Sequence, residues 1–267
     1  MWGAIVGDIA GVSFEFEPIK SKDFEFYPTN RRKLPTFSDD TVLTLAVAQH
    51  LMTKESLVKL FHEFVRKEPK RGYGSTFGNW VRAGKTQPYN SYGNGSAMRV
   101  SPVGWFYDGL DEVLKGAKAS AEVTHDHPEG IKGAQSTAVA IYLARTGTTK
   151  DDIKTYIEGT FGYDLSRKLD DIRPTYSFKV SCQESVPEAI ICFLESTDFE
   201  DTIRNAVSLG GDADTQACIA GSIAEAFYKD IPEVHVKRAI SSLPSFFRSI
   251  AVKFNQVYVE PKKRAKA

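Results

Sequence analysis

Apolar residues recur along most of this chain with the period of an α-helix, and few segments alternate like a β-strand. Between Asp39 and Met52, for example, Val42, Leu45 and Ala46 are spaced i, i+3 and i+4. This spacing is typical of a helix that buries one face. Similar patterns predict helices over residues 3–11, 55–67, 75–83, 110–122, 128–145, 150–158, 185–195, 199–208, 213–229, 233–240 and 243–256.

Two segments depart from the helical pattern. Phe24-Glu25-Phe26-Tyr27 alternates and is a candidate strand of four residues, whereas residues 170–184 contain Pro174 and a polar mixture that predicts a loop. We find no internal repeat and no low-complexity linker between domains. The sequence therefore predicts a single all-α domain with little or no β-structure.

Small residues mark one of the predicted helices as central. Ala217, Ala220, Gly221 and Ala224 lie at i, i+3, i+4 and i+7, so they share one helical face. Glycine inside a helix costs roughly 0.5–1 kcal/mol relative to alanine. We therefore expect this face to lie against the backbone of another helix in the core.

The charge balance excludes recruitment of nucleic acid or anionic membranes by a global field. The 267 residues carry 34 basic and 34 acidic side chains, which gives a net charge of zero. The one run of like charge is Lys262-Lys263-Arg264-Ala265-Lys266, which resembles a solvated chain end. We therefore expect a domain over residues 1–260 and a disordered basic tail over residues 261–267. With no heptads evident, we expect a monomer.

Cysteine usage and the N-terminus favour a cytoplasmic protein. The three cysteines, Cys182, Cys192 and Cys218, have neither metal-ligand nor CxxC spacing, so we interpret them as reduced, buried side chains. The first residues lack a basic region and reach Asp8 too early for a signal peptide. No stretch approaches the ~20 apolar residues of a membrane span.

Two acidic clusters carry the chemistry that the sequence offers. Ser38-Asp39-Asp40-Thr41 and Asp212-Ala213-Asp214-Thr215 each place two carboxylates and at least one hydroxyl group directly before an apolar helix. Oxygen-rich clusters of this kind suit hard cations such as Mg²⁺ or Mn²⁺. Helix capping by serine and aspartate is an alternative interpretation, and the spacing alone fits both.

Several motifs, in order along the chain, resemble those of the ADP-ribosylglycohydrolase family. This family includes the dinitrogenase-reductase-activating glycohydrolase and the ADP-ribosyl-arginine and ADP-ribosyl-serine hydrolases. The resemblance extends from about residue 3 to about residue 228. It is carried by Gly3-Ala4-Ile5-Val6-Gly7-Asp8-Ile9-Ala10-Gly11 with Glu15-Phe16, Ser38-Asp39-Asp40-Thr41, Tyr92-Gly93-Asn94-Gly95-Ser96-Ala97-Met98-Arg99, Thr124-His125, Ser185-Val186-Pro187-Glu188-Ala189 and Gly210-Gly211-Asp212-Ala213-Asp214-Thr215.

The resemblance implies a compact orthogonal helical bundle with a cleft that holds two Mg²⁺ ions, or Mn²⁺ in their place. The expected metal ligands are Ser38, Asp39, Asp40, Asp212, Asp214 and Thr215. Ser38 stands where the family commonly has threonine, which keeps the hydroxyl group. Glu15, Asp39 and Asp40 are the expected catalytic residues. Glu15 matches the family's acidic residue near the metals, implicated in gating or water activation, and either Glu15 or one of the two aspartates would orient or deprotonate the attacking water.

Glycine-rich loops are expected to bind the nucleotide part of the substrate. The segment Gly93-Asn94-Gly95-Ser96 can present backbone N–H groups to a diphosphate, although a tight turn is an alternative interpretation. His125, matched through the family, could equally be structural. The expected substrate-binding residues are Gly74, Ser75, Gly93, Asn94, Gly95, Ser96, Met98 and His125.

The expected reaction is hydrolysis of the glycosidic bond between ADP-ribose and an acceptor, with release of ADP-ribose. The resemblance favours ADP-ribosyl-arginine first. The substrate would be an ADP-ribosylated protein or a small-molecule conjugate, and a nucleic-acid substrate stays open. Two other functions also fit the acidic clusters: a di-metal nucleotide phosphoesterase or pyrophosphohydrolase, and an inactive ADP-ribose-binding protein.

Overall fold

A computed structural model describes residues 1–28 and 36–264, and this part of the chain is helical with no strand. The all-α prediction is therefore confirmed. Gly93 and Ser181 form an isolated antiparallel bridge. The helices are α1 (Trp2–Gly11), α2 (Asp39–Thr53), α3 (Leu57–Lys67), α4 (Ser75–Arg82), α5 (Gly95–Met98), α6 (Ser101–Phe106), α7 (Leu110–Glu122), α8 (Pro128–Arg145), α9 (Lys150–Phe161), α10 (Leu169–Ile172), α11 (Cys182–Leu194), α12 (Phe199–Ser208), α13 (Ala213–Tyr228), α14 (Glu233–Ser242), α15 (Ser245–Phe254) and α16 (Glu260–Arg264), with a π-helical segment at Asn255–Val259.

The strand predicted at residues 24–27 is wrong. Phe24 and Phe26 do point to the same side, where both rings lie beneath the guanidinium of Arg204. The backbone carbonyls of Lys22 and Phe24 accept hydrogen bonds from Arg204 Nη1, at 2.8 and 2.9 Å, instead of pairing with a strand. The alternating positions of Phe24 and Phe26 therefore reflect an extended segment that packs on α12.

The close helix contact predicted for the small-residue face is confirmed and involves α1 and α13. A Cβ atom placed on Gly3, Gly7 or Gly11 would lie 2.1–2.4 Å from a backbone oxygen of α13. The same test at Gly221 gives 2.5 Å to the backbone oxygen of Gly3. All residues of α1 are buried, and so is α13 from its start to Ala226. The two helices thus form the centre of the bundle.

Residues 261–264, which fall in the basic tail predicted from the sequence, are helical in the structure. They belong to α16, in which Lys262 Nζ donates to the carbonyl oxygen of Trp105 at 2.7 Å. Lys263 Nζ lies 3.1 Å from the buried carboxylate of Glu225. Two lysines of the charge run, Lys262 and Lys263, therefore have specific acceptors. Residues 265–267 lie outside the described part of the chain.

The three cysteines are free and buried, as the sequence predicted. Burial raises the pKa of the Cys182 thiol to about 12 and the pKa values of Cys192 and Cys218 well above their usual range. All three side chains are therefore protonated thiols. No helix in the described ranges is long and apolar enough to cross a membrane.

Candidate active site

Asp8, in the middle of α1, holds the first acidic cluster in place. Its carboxylate accepts hydrogen bonds from the backbone N–H groups of Ser38 and Thr41, at 3.0 and 3.1 Å, and from the Thr41 hydroxyl. These donors belong to the start of α2, where N–H groups have no partner within the helix. Ser38 caps the same helix by accepting from the Asp40 N–H at 3.2 Å. The capping interpretation is therefore confirmed for Ser38.

The second cluster follows a turn at Gly210, whose φ of +65° favours glycine. Asp212 lies just before α13, and its Oδ2 accepts a 2.8 Å hydrogen bond from Asn94 Nδ2. Asp214 and Thr215 lie in the first turn of α13. Because α1 packs directly against α13, the two clusters are brought to the same end of this helix pair.

The two clusters meet. Thr215 Oγ1, from the second cluster, donates to Asp40 Oδ2, from the first, at 3.2 Å. Carboxylate oxygens of Glu15, Asp212 and Asp214 all lie within 4.8 Å of one another. Residues separated by about 170 positions therefore share one site, which is the geometry that a metal centre built from both clusters requires.

Burial and mutual repulsion disfavour the charged forms of these acids. Burial, followed by repulsion from Asp214 and Asp8, raises the pKa of Asp40 well above its usual range. Burial also raises the pKa of Asp214, with Asp212 as the next cause, and the pKa of Asp212 itself to about 6. For Glu15, burial and the charges of Asp214 and Asp8 raise the pKa to about 8. The acids therefore repel one another, and a bound cation would relieve this repulsion.

The residues present fit a divalent cation. Asp40 Oδ1 is buried and has no hydrogen-bond partner among the described residues. A buried polar atom without a partner is costly, and a cation would satisfy it. The surrounding donors are carboxylate and hydroxyl oxygens, which Mg²⁺ and Mn²⁺ prefer.

The acids form one end of a cleft of about 430 Å³. Most of the residues predicted to bind metal or substrate line this cleft together. They are Glu15, Asp39, Asp40, Gly74, Ser75, Gly93, Asn94, Gly95, Met98, His125, Asp212, Asp214 and Thr215. Ser38 lies behind this wall, where its hydroxyl donates to Asp40 Oδ2 at 3.1 Å.

Ser96 is the one predicted substrate-binding residue whose side chain faces away from the cleft. Its hydroxyl is fully buried and donates to the carbonyl oxygen of Gly130 at 2.7 Å. The sequence predicted a role for the backbone of this loop, and the Ser96 side chain itself points into the protein interior. Ser96 instead fixes the glycine loop to the start of α8.

Part of the glycine loop is committed to internal hydrogen bonds. The N–H of Asn94 donates to Val180 O at 2.7 Å, and the N–H of Gly93 donates to Ser91 Oγ at 3.2 Å. Within the described ranges, the N–H of Gly95 has no acceptor, and Gly95 lines the cleft. This group can donate to an anion in the cleft.

His125 lies beneath the glycine loop as a neutral side chain. Its Nδ1 is 2.7 Å from Thr124 Oγ1, and its Nε2 faces Gly95, 3.3 Å from a Cβ placed there. Burial, together with the nearby guanidinium of Arg99, lowers the pKa of His125 well below its usual value. His125 therefore has both a structural contact and a position on the cleft wall.

Sequence reasoning assigned no specific role to several residues of the site. Asp8 was visible as the one acid in an otherwise apolar helix, a pattern that marks a buried polar contact. Phe178 and Val180 line the cleft from the segment before α11, which gave no helical or motif signal. Phe178 stacks against Phe16 with ring centroids 6.0 Å apart.

The chain is an all-α protein whose cleft joins two acidic clusters. A family model described as ADP-ribosylglycohydrolase matches residues 1–256. The match spans nearly the whole chain, so this chain belongs to the ADP-ribosylglycohydrolase family. Its activity is therefore that of an ADP-ribosylhydrolase, acting on the glycosidic bond of ADP-ribose.

Individual relatives agree with this assignment. The ADP-ribosylhydrolase ARH3 of Mus musculus is 29% identical over an alignment that covers 86% of this chain and 84% of its own. An uncharacterized protein of Archaeoglobus fulgidus is 28% identical, with coverage of 86% and 87%. A solved structure titled ADP-ribosylglycohydrolase-related protein complex superposes with a TM-score of 0.70 at 23% identity, over 95% of this chain and 94% of that one, and so supports the fold.

Proposed function

We propose that this chain is a divalent-metal-dependent hydrolase that releases ADP-ribose from an acceptor. The observation that carries the proposal is the contact between Thr215 and Asp40, which joins the two acidic clusters beside an unpaired buried oxygen. Two ions, Mg²⁺ or Mn²⁺, would be held by the oxygens of Ser38, Asp39, Asp40, Asp212, Asp214 and Thr215. Such ions polarise bound oxygen atoms and make water easier to deprotonate.

The chain's own residues would perform the remaining steps. The free N–H group of Gly95, on the cleft wall, would bind the diphosphate, and the distal ribose would lie among the carboxylates. Glu15, half-buried beside Asp214, would take a proton from the water that attacks C1 of the ribose. The bond between that water oxygen and C1 forms while the bond from C1 to the acceptor breaks, and the acceptor leaves with a proton.

We propose ADP-ribosyl-arginine as the first linkage to test, with ADP-ribosyl-serine as the second. An arginine acceptor leaves as a guanidine, which is a cation at neutral pH. Phe178 lines the cleft and stacks against Phe16, the residue after Glu15, and a guanidinium binds well over an aromatic face. The acidic character of the cleft also favours a cationic leaving group.

The test is a linkage panel with and without EDTA. We expect release of intact ADP-ribose that depends on added Mg²⁺ or Mn²⁺. Asp40→Asn and Asp214→Asn should each lower kcat by more than about 100-fold and weaken calorimetric Mg²⁺ binding, because each removes an expected ligand. Asp170→Asn, at a carboxylate that is 92% exposed, is the matched control and should behave like the unmodified chain.

Other outcomes would point to other functions. Formation of AMP and ribose phosphate would contradict glycosidic cleavage and favour a pyrophosphohydrolase. Tight binding of ADP-ribose without turnover of any linkage would favour an inactive binding protein. Unchanged activity of both variants at low Mg²⁺ would rule out the metal role.

A further inference from the structure

Arg99 is a buried cation beside the catalytic cleft, and the proposed function gives it no role. Its side chain is fully buried, and its Nε and Nη1 have no acceptor among the described residues. Its Nη2 donates to the carbonyl oxygen of Ser120 and to Thr124 Oγ1, each at 2.9 Å. Burial lowers the pKa of Arg99 to about 10, so the guanidinium stays charged at neutral pH. Thr124 is therefore held by a fixed positive charge.

The hydroxyl group of Thr124 lies between Arg99 and His125. Its Oγ1 is 2.9 Å from Arg99 Nη2 and 2.7 Å from His125 Nδ1. A guanidinium only donates, so Oγ1 accepts from Arg99 and the hydroxyl hydrogen must find another acceptor. Thr124 is fully buried, and His125 Nδ1 is the one acceptor within reach among the described residues. Because a buried hydroxyl hydrogen without a partner is costly, Thr124 donates to Nδ1.

This direction of donation decides which nitrogen of His125 carries the proton. A neutral imidazole has one N–H group, and the hydrogen bond at one nitrogen determines the state of the other. With Nδ1 accepting from Thr124, the proton lies on Nε2. Within the described ranges Nε2 has no partner, and it lies 3.3 Å from a Cβ placed on Gly95. The cleft wall therefore presents two free donors close together, His125 Nε2–H and the Gly95 N–H.

We propose that Thr124, oriented by Arg99, is a positioning residue that keeps the proton of His125 on Nε2. His125 then donates a hydrogen bond to the anionic group that the Gly95 N–H binds, and it does not act as a base. The inference rests on the proposed function, which places the diphosphate of ADP-ribose at Gly95. Arg99 and Thr124 act on the substrate only through His125.

The position of the proton can be measured by NMR on the ligand-free chain with isotope-labelled histidine. Ring-nitrogen chemical shifts distinguish a protonated nitrogen from an unprotonated one. His125→Phe identifies the signal of this residue among the five histidines of the chain. In the unmodified chain at neutral pH we expect a neutral ring with its proton on Nε2. A proton on Nδ1 would overturn the proposal without any variant of Thr124.

Variants of Thr124 and Arg99 then test what fixes the proton. Thr124→Val removes the hydroxyl but keeps the shape of the side chain, so both tautomers should appear. Thr124→Ser restores the hydroxyl and should restore the single tautomer. Arg99→Met should also give both tautomers, because Thr124 Oγ1 is then free to accept from Nδ1. A single Nε2–H tautomer in Thr124→Val would contradict the positioning role.

Calorimetric titration with ADP-ribose in the presence of Mg²⁺ measures the consequence for binding. His125→Phe should weaken binding about tenfold, as expected for the loss of one hydrogen bond to a charged group. Thr124→Val should weaken it about two- to fivefold, because only molecules with the proton on Nε2 can donate. In the His125→Phe background, Thr124→Val should have no further effect. A purely structural role of Thr124 would weaken binding in both backgrounds.

The matched control is Thr137→Val in α8. Thr137 is also buried, its hydroxyl has no partner among the described residues, and it does not line the cleft. This substitution should change neither the tautomer nor the affinity. Unchanged affinity of Thr124→Val, with both tautomers present, would overturn the donor role of His125. Failure of the unmodified chain to bind ADP-ribose would instead contradict the proposed function, and the ligand-free spectrum would still test the tautomer.

Discussion

At the scale of single residues, Glu15 has the environment that is easiest to probe. It is half-buried beside Asp214 and Asp8, and burial together with these charges raises its pKa from 4.5 to about 8. Between those pH values the folded protein keeps a proton that the unfolded chain has released. The free energy of unfolding of the metal-free protein therefore falls as the pH rises through this window.

Glu15→Gln should remove this pH dependence. In EDTA, we expect the variant to gain thermal stability relative to the unmodified chain as the pH rises from 5 to 8, because glutamine does not ionise. Melting temperatures measured at several pH values check this. A difference that stays constant across the range would show that Glu15 does not titrate in this window. Saturating Mg²⁺ should reduce the difference, since a cation also compensates the charge.

The residues of the site could be predicted where they stand in short acidic or glycine-rich motifs. Asp40 and Asp214 were found in this way, and the structure places them together in the cleft. The inward direction of Ser96 could not be predicted, because a one-residue step in a four-residue helix decides which way its side chain points. Asp8 holds the start of α2 through the Ser38 N–H, a contact 30 positions away in sequence. A local sequence pattern can mark Asp8 as a buried polar residue, but it cannot identify the residues that Asp8 contacts.

At the scale of elements, the glycines of α1 set its distance from α13. A Cβ atom on Gly7 would lie 2.1 Å from the backbone oxygen of Ala217, and this atom belongs to the backbone of the central helix. Gly7→Ala should therefore destabilise the protein by about 1–3 kcal/mol, as overpacking usually does. Chemical denaturation measures this change.

The matched control is Gly159→Ala in α9, where an added Cβ would meet nothing within 4 Å. This substitution should stabilise the protein by about 0.5–1 kcal/mol, because alanine loses less backbone entropy in a helix. Equal effects of the two substitutions would mean that α1 and α13 can separate without cost.

The long helices could be predicted because their period repeats over several turns, as in α2, α7 and α8. The helices α5, α6 and α10 have only four to six residues, too few for a period to be recognised. The start of α11 at Cys182 was placed three residues late, because Pro174 and polar neighbours made the whole region look like a loop.

At the scale of the whole molecule, α16 is tied to the centre of the bundle through Glu225. This carboxylate is fully buried and contacts the Gly3 N–H, the N-terminal amino group and Lys263. Burial opposes its ionisation, but the N-terminal amino group and Lys263 outweigh that effect and lower the pKa of Glu225 to about 2. Met1 and Lys263, near the two ends of the described chain, therefore contact the same buried carboxylate.

Lys263→Ala should cost on the order of 2 kcal/mol, because it removes one charged partner from a buried carboxylate. Lys237→Ala breaks an exposed pair with Glu233, whose side chain is 79% exposed, and should change stability by less than about 1 kcal/mol. Denaturant titration of both variants gives the comparison. Similar small effects would indicate that α16 contributes little to stability.

Because all three thiols are buried and protonated, their rate of chemical labelling can report how often the protein core opens. An alkylating reagent reacts with thiolate, so Cys192 in α11 and Cys218 in α13 should stay unmodified while the core is closed. Their labelling rates should follow the population of opened molecules. Addition of Mg²⁺ should slow labelling of Cys218 if ion binding holds the start of α13 against α2, and mass spectrometry would follow each thiol without any introduced probe.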